Sequence, residues 1–283
     1  MRQVLRAELL NENSNHFREM PTHFGYAYDL LGPPPADGSS DAAMRSEWLE
    51  CCEKIEIDPD YKYYFKFATS GFPVNMKQVV KAESRILIGA GTASSGEVGL
   101  TVHRAWGVPI LPGTALKGLL AHYVDAVYGS DDDAEPEYRA WRGPSWIGHR
   151  PAMDRPQGSR HAQMFGSAAL SREEPGRRGG VVFHDALFVP DSIKKPYARD
   201  VLTPHQVSYY RGQGKVLPND WDSPIPVGFI TVRPGAQFLL AVTGDDDWAP
   251  WAERALDLLL EALAAWGIGG KTSAGYGRLT RHP

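Results

Sequence analysis

The sequence predicts an α+β fold of the ferredoxin-like type, with a βαββαβ order and a long insertion after the first helix. Two helical stripes carry this prediction, one starting near residue 114 and one over residues 251–266. In each stripe the apolar side chains recur at i, i+3, i+4 and i+7. β-rich stretches lie before, between and after the two helices. We expect the strands at residues 79–88, 181–188, 227–232, 237–242 and 276–280.

Local signals indicate where these elements begin and end. The strands at 227–232 and 237–242 are predicted to pair as a hairpin around Arg233-Pro234-Gly235. Acidic residues and Pro250 precede the stripe at 251–266, and both are typical of a helix start. A further helix is expected over residues 41–57.

The most distinctive stretch is the glycine-rich loop, residues 266–279, which has five glycines within eleven residues. Glycine lacks Cβ, so such a loop can turn sharply and bring backbone N–H groups against a ligand. Its lysine and arginine favour an anion, and a phosphate chain fits best. The alternative is a structural helix-to-strand connection with a solvated lysine, but five glycines exceed what a connection needs. The candidate RNA contacts here are Gly269, Gly270, Lys271, Thr272 and Arg278.

This loop is not a nucleotide-binding P-loop, although Gly270-Lys271-Thr272 ends like one. The glycine that a P-loop requires five positions before Gly270 is Ala265. A P-loop also follows a strand and opens a helix, whereas this loop follows a helix. The sequence therefore excludes a P-loop NTPase.

A second candidate site is the start of the first helix, which runs to about residue 128. Thr114 is the predicted N-cap. The positive charge of Lys117 in the first turn is unfavourable, because the N-terminal end of the helix dipole is also positive. An anion that binds at the helix N-terminus would explain the lysine. We therefore add Gly113, Thr114 and Lys117 to the candidate RNA contacts. An exposed lysine without any ligand is an equally good interpretation.

The predicted insertion, about 129–179, contains most of an arginine-rich window. Residues 139–178 hold eight arginines, no lysine and three acids, which gives +5 within a chain of net charge −4. Aromatic residues are interleaved, a combination typical of nucleic-acid contact. Arg150, Arg155 and Arg160 are the candidate phosphate contacts. The alternatives are a solvated insertion and one that docks on an acidic neighbour.

Composition narrows the class of protein. The chain of 283 residues is 42% hydrophobic, which allows a sizeable core. A net charge of −4 argues against a free-standing nucleic-acid binder that relies on bulk electrostatics. No apolar run is long enough for a bilayer and no signal peptide is evident, so we expect a cytoplasmic protein without a membrane partner. Cys51 and Cys52 indicate reduced thiols, and we expect no metal and no cofactor.

Several motifs together resemble the RAMP superfamily of CRISPR proteins. They lie at residues 88–100, 107–109, 111–118, 165–167, 183–186 and 266–279. Residues 200–205, 209–210 and 220–224 narrow the resemblance to the sixth subunit of type III-B (Cmr) RNA-targeting complexes. Residues 1–78 match only loosely.

The resemblance implies an RRM-like RAMP domain over residues 79–283, preceded by an N-terminal extension over residues 1–78. It also implies a noncatalytic RNA-binding subunit of an antiviral effector complex, which caps the backbone filament near the 3′ end of the guide RNA. The implied partners are guide RNA, target RNA, and the backbone and small subunits. In the family, target cleavage belongs to a loop acid of the backbone subunit. No acid of this sequence, Asp131-Asp132-Asp133 included, aligns with that loop.

Two rival hypotheses remain. One is a metal-independent endoribonuclease that processes guide RNA, which needs a general base, a general acid and a cation on the phosphate. His122, His184 or His205 could serve with Lys117 or Lys271, but no spacing forces any two together. His184 within a strand is more often a packed residue than a catalytic one. The other rival is a protein adaptor without RNA contact.

Overall fold

A computed structural model describes residues 23–29, 31–32, 39–92, 94, 98–129, 136–147, 150–151, 155–169, 175–203, 205, 209–210, 212, 215, 217 and 226–283. The chain divides into two units, each drawn from three stretches of sequence. The first takes its described residues from Met1–Pro59, Leu87–Val108 and Lys194–Arg233. The second takes them from Asp60–Ile86, Pro109–Ile193 and Pro234–Pro283. The predicted boundary at residue 78 stays a prediction.

The helices of the described residues are α1 (Phe24–Asp29), α2 (Ser39–Glu53), α3 (Tyr61–Thr69), α4 (Gly113–Tyr128), α5 (Pro136–Arg139), α6 (Ser159–Phe165) and α7 (Ala249–Ala265). Short 3₁₀ turns occupy Val74–Met76 and Thr272–Ala274. No helix of the described residues is both long and apolar enough to cross a membrane.

The strands are β1 (Lys77–Ala82), β2 (Ile110–Leu111), β3 (Trp146–Ile147), β4 (Arg150–Pro151), β5 (Gly166–Ser167), β6 (Arg177–Arg178), β7 (Val182–Phe183), β8 (Ala186–Phe188), β9 (Tyr197–Leu202), β10 (Val227–Val232), β11 (Gln237–Thr243) and β12 (Leu279–Arg281). The pairs β3–β4 and β5–β6 are short hairpin ladders of the insertion.

The second unit is built on an antiparallel sheet with the order β12-β1-β11-β8-β2, and β7 also pairs with β11. The central strand β11 is buried over five consecutive residues, as expected for a strand covered on both faces. Helix α7 packs on β11 and on α4. Its buried side chains include Leu256, Leu259 and Leu263, so the predicted helical stripe is confirmed.

Helix α4 ends at Tyr128 as predicted, but its predicted cap is wrong. The helix begins at Gly113 with Pro112 in the N-cap position, so Thr114 lies inside the first turn. The N–H of Gly113 donates instead to Oδ1 of Asp185, at 2.7 Å. The carboxylate of Asp185 therefore caps the helix, which is the role predicted for the Thr114 hydroxyl.

The predicted hairpin around residues 233–235 is also wrong, although both strands exist. β10 pairs with β9 in the first unit, whereas β11 pairs with β1, β7 and β8 in the second. The turn residues explain this separation. The backbone N–H of Arg233 donates to the carbonyl of Pro196 at 2.7 Å. The backbone N–H of Gly235 donates to the carbonyl of Ala82 at 2.8 Å. The chain thus leaves one sheet and enters another at this turn.

In the first unit, the helices near the N-terminus cover one sheet. Helix α2 packs on β9 and β10, and it begins and ends close to the predicted limits of 41–57. Trp48 donates its indole N–H to the carbonyl of Ala27 at 3.0 Å and stacks on Tyr28. Phe24 stacks on Tyr197 of β9. These buried rings form the core of the unit.

Candidate nucleic-acid interface

A groove of about 580 Å³ lies between α4 and the glycine-rich loop. It is lined by Ala115, Gly118, Leu119, His122, Ala265, Trp266, Gly267, Ile268, Gly269, Thr272, Ser273 and Arg278. The structure therefore places α4 beside the glycine-rich loop, although Gly113, Thr114 and Lys117, the candidates at the start of the helix, do not line this groove.

Part of the glycine content of the loop serves its own folding. Gly267 and Gly277 have φ of +77° each, and the N–H of Ile268 donates to the carbonyl of Gly277 at 2.9 Å. A Cβ on Gly277 would clash with the carbonyl oxygen of Ile268. These two glycines let the arms of the loop pair closely, so they need no ligand to explain them.

The tip of the loop presents open hydrogen-bond donors. In the part of the chain that the structure describes, the N–H groups of Gly269, Gly270, Thr272 and Ser273 donate to no protein acceptor. Gly269, with φ of +91°, lines the groove together with Thr272 and Ser273. Clustered backbone N–H groups of this kind form an anion-binding concavity.

Lys271 sits within this cluster in an unusual conformation. Its φ of +60° is left-handed, and Asp191 is its sole non-glycine counterpart among the described residues. This region costs an ordinary side chain about 1–2 kcal/mol, and such strain is concentrated at functional sites. The ammonium lies 4.8 Å from the centre of the Tyr276 ring.

His122, Trp266 and Arg278 line the groove. Trp266 makes edge-to-face contacts with His122 and Tyr123, with ring centres 5.1 and 5.2 Å apart. The guanidinium of Arg278 donates to the carbonyl of Ala264 at 3.0 Å, near the end of α7. Arg278 therefore stabilises that helix end while its side chain borders the groove.

The start of α4 borders a second, smaller cavity of about 200 Å³. Gly113, Thr114 and Lys117 line it together with Arg178, whereas Lys117 does not line the larger groove. Gly113 has a structural role as well, since a Cβ there would clash with the carbonyl of Phe183. That Lys117 and Lys271 contact RNA stays a prediction.

Two of the three candidate arginines have carboxylate partners. Arg155 pairs with the half-buried Asp125 at 3.0 Å, and this contact links the insertion to α4. Arg160 pairs with the exposed Glu137 at 3.2 Å. Arg150 belongs to β4, and its side chain lies outside the described residues. The pairing of Arg155 supports the docking alternative for this segment.

The histidines named as catalytic candidates lie in different surroundings. His184 shares a hydrogen bond of 2.8 Å with the Thr243 hydroxyl and packs on Phe72, and burial lowers its pKa. These contacts support the structural interpretation of His184. His122 is exposed and lines the groove, and His205 is exposed. Among the described residues, no three His, Cys, Asp or Glu side chains are grouped so that they could hold a metal.

Sequence reasoning missed two features of this interface. Asp185 was not named as a candidate for any role, although a carboxylate can cap a helix. The contact between His122 and Trp266 had no local signal, since 144 residues of sequence separate them.

Comparisons with known proteins agree with the resemblance. The chain is 31% identical over 230 residues to the CRISPR system Cmr subunit Cmr6 of Pyrococcus furiosus, a match that covers 71% of this chain and 66% of that protein. The match thus spans slightly less than two thirds of the relative. The crystal structure of that Cmr6 is similar at 30% identity, with 73% of this chain and 97% of that chain covered and a TM-score of 0.43.

A similar fold occurs in the cryo-EM structure of the type III-B Cmr-beta complex bound to cognate target RNA. The TM-score is 0.60 at 17% identity, and 86% of this chain and 73% of that chain are covered. The sequence profile of the RAMP superfamily matches residues 79–280, more than half of the chain. The glycine-rich loop and α4 of this chain lie within that match. The protein belongs to the RAMP superfamily.

Proposed function

We propose that this protein is a noncatalytic RNA-binding subunit of a type III-B CRISPR effector complex, and so acts in antiviral defence. In this proposal it caps the backbone filament near the 3′ end of the guide RNA. Its partners are the guide RNA, the target RNA, and the backbone and small subunits. Membership of the RAMP superfamily and the similarity to Cmr6 support the assignment to such a complex.

The proposal includes a ferredoxin-like, RRM-like architecture for the second unit. The elements β1, α4, β8, β11, α7 and β12 follow one another in a βαββαβ order. Their strands have the spatial order β12-β1-β11-β8, which places the fourth strand beside the first and the third between the first and second. This arrangement supports the fold assignment, with the arginine-rich insertion after α4.

One observation carries the RNA-binding part of the proposal: Gly269, Thr272 and Ser273, whose N–H groups have no protein acceptor among the described residues, line the groove beside α4. Backbone N–H groups bind phosphate oxygens without regard to sequence. Arg278 lines the groove as well, and Lys271 adds a second positive charge within the loop. Because the whole chain has a net charge of −4, such a local surface is better suited to a subunit than to a solitary RNA binder.

The composition of the groove supports a noncatalytic role. RNA cleavage without a metal needs a general base and a general acid. Among the described residues that line the groove, His122 and Arg278 are the ionisable ones, and an arginine does not deprotonate in proteins. His122 is also the observation that favours the rival endoribonuclease.

Purification of a tagged copy from its native cells tests the proposal. We expect backbone and small subunits to copurify with guide RNA. A protein that purifies without RNA and without these subunits would contradict the assignment.

Incubation of the purified protein with repeat RNA in EDTA tests the rival hypothesis. We expect intact RNA. Discrete cleavage that disappears in His122→Ala would establish the endoribonuclease instead.

A further inference from the structure

We propose that the groove takes one unpaired nucleotide, whose base stacks in the corner formed by His122 and Trp266. This inference rests on the proposed RNA-binding function, and it adds which part of the RNA the groove holds. The phosphate of this nucleotide binds the open N–H groups of the loop.

The two rings have the geometry of a corner. Their planes meet at 74° with the ring centres 5.1 Å apart. A planar base that stacks on one ring therefore presents its edge to the other. Offset-stacked and edge-to-face contacts are the favoured arrangements of aromatic rings, so both contacts are attractive.

The corner is held in place from behind. Trp266 follows the last residue of α7, and its backbone N–H donates to the carbonyl of Ala262 at 2.8 Å. Tyr123, which is 9% exposed, packs against the Trp266 ring at 76°. The tryptophan ring is thus fixed before a ligand arrives, which lowers the entropic cost of binding.

His122 provides the accessible side of the corner. Its side chain is exposed on α4, and its ring nitrogens form no hydrogen bond with other described residues. One nitrogen of a neutral imidazole donates and the other accepts, so His122 can also bond to the edge of a base.

Phosphate and base sites lie within the same groove. Gly269, Thr272 and Ser273 line it together with His122 and Trp266. The volume of about 580 Å³ falls in the usual range for pockets that hold one small organic molecule. A base that occupies the corner cannot stay stacked on its neighbours in the RNA. Single-stranded RNA, whose bases can be splayed apart, meets this requirement.

Photocrosslinking of the reconstituted effector complex tests this inference. Each uridine of the guide RNA in turn is replaced by 5-iodouridine, the complex is irradiated, and the crosslinked peptides are mapped by mass spectrometry. We expect one position to crosslink to His122 or Trp266. RNA retained by the complex without a crosslink to either residue at any position would overturn the inference.

Variants at His122 show whether a base stacks on the His122 ring or whether the RNA only lies near it. We expect His122→Ala to reduce the crosslink to Trp266 at that position by about tenfold, because a base–aromatic stack is lost. His122→Phe retains a ring and should preserve the crosslink. Equal yields for wild type, His122→Ala and His122→Phe would also overturn the inference.

The proposed function fails in a different way from this inference. Gly270→Val adds a branched side chain to the loop, which should keep the RNA backbone from approaching closely. If this variant releases the RNA while the His122 variants change nothing, the loop binds RNA and the aromatic corner does not. If Gly270→Val and the His122 variants all leave RNA retention unchanged and no position of the RNA crosslinks to His122 or Trp266, the groove does not bind RNA, and the inference and the RNA-binding part of the proposed function both fail.

Discussion

Oδ1 of Asp185 lies 2.7 Å from the backbone nitrogen of Gly113 and accepts its hydrogen bond. This contact ties the connection between β7 and β8 to the first residue of α4. It also places a carboxylate at the helix N-terminus, where the sequence predicted an external anion. A phosphate is therefore better accommodated by the open N–H groups of the glycine-rich loop than by Gly113.

We predict that Asp185→Ala lowers the free energy of unfolding by about 1 kcal/mol, the usual effect of losing a helix cap. For a chain of this size, this corresponds to a fall in melting temperature of about 2–4 °C. Thermal denaturation measures it. Asp185→Asn retains an acceptor oxygen and should preserve most of the stability. If Asp185→Ala melts like the wild type, the hydrogen bond to Gly113 does not stabilise the fold.

We predict that two arginines of the insertion behave differently on substitution. Arg155→Ala should destabilise the fold by about 1 kcal/mol, because it leaves the half-buried Asp125 without its cation. Arg160→Ala removes an exposed ion pair and a contact of the guanidinium with the Trp141 ring, 5.8 Å from its centre, and should change the melting temperature less than Arg155→Ala does. The same two variants, measured for RNA binding at several salt concentrations, show whether either arginine contacts phosphate. Each lost contact should flatten the salt slope by about one unit or less.

We predict that stability falls as the pH drops below about 6.5, the ordinary histidine pKa. Burial lowers the pKa of His161, which is 3% exposed. Below pH 6.5 the unfolded chain binds a proton that the folded chain does not, so protonation favours unfolding. Melting temperatures at pH 7.5 and 5.5 test this, and His161→Gln should make the difference smaller. The exposed His122→Gln is the control, and an equal effect of both variants would contradict the prediction.

The sequence predicted best what depends on neighbouring residues. The stripe of Leu256, Leu259 and Leu263 was sufficient for α7, because helical periodicity is local. Strand pairing is not local, and nothing in the turn at 233–235 shows that its N–H groups donate to Pro196 and Ala82.

In the candidate site, too, local features could be predicted from the sequence and long-range contacts could not. The glycine-rich loop was evident from its composition, and its role as a ligand contact stays a prediction. The cap of α4 comes from Asp185, 72 residues away, so the nearby Thr114 was chosen instead. The contact between His122 and Trp266 depends on how α4 and α7 pack, which no short pattern encodes.

We predict that the isolated chain binds RNA weakly and in a strongly salt-dependent way. Its net charge of −4 opposes the approach of RNA, whereas the positive charge is confined to local surfaces. Fluorescence anisotropy with a short single-stranded RNA at several salt concentrations measures this. Tight binding that resists salt would contradict it.

The most direct test of RNA binding by the glycine-rich loop compares two lysines that each lie near a tyrosine ring. Lys271 lies 4.8 Å from the ring of Tyr276, and Lys62 lies 5.0 Å from the ring of Tyr63. RNA retention is measured for complexes reconstituted with Lys271→Ala or Lys62→Ala, after melting curves have shown that both variants are folded. We predict that Lys271→Ala weakens RNA binding by about tenfold, because a charged hydrogen bond is lost, while Lys62→Ala has no effect. Equal RNA retention by the two folded variants would contradict the account.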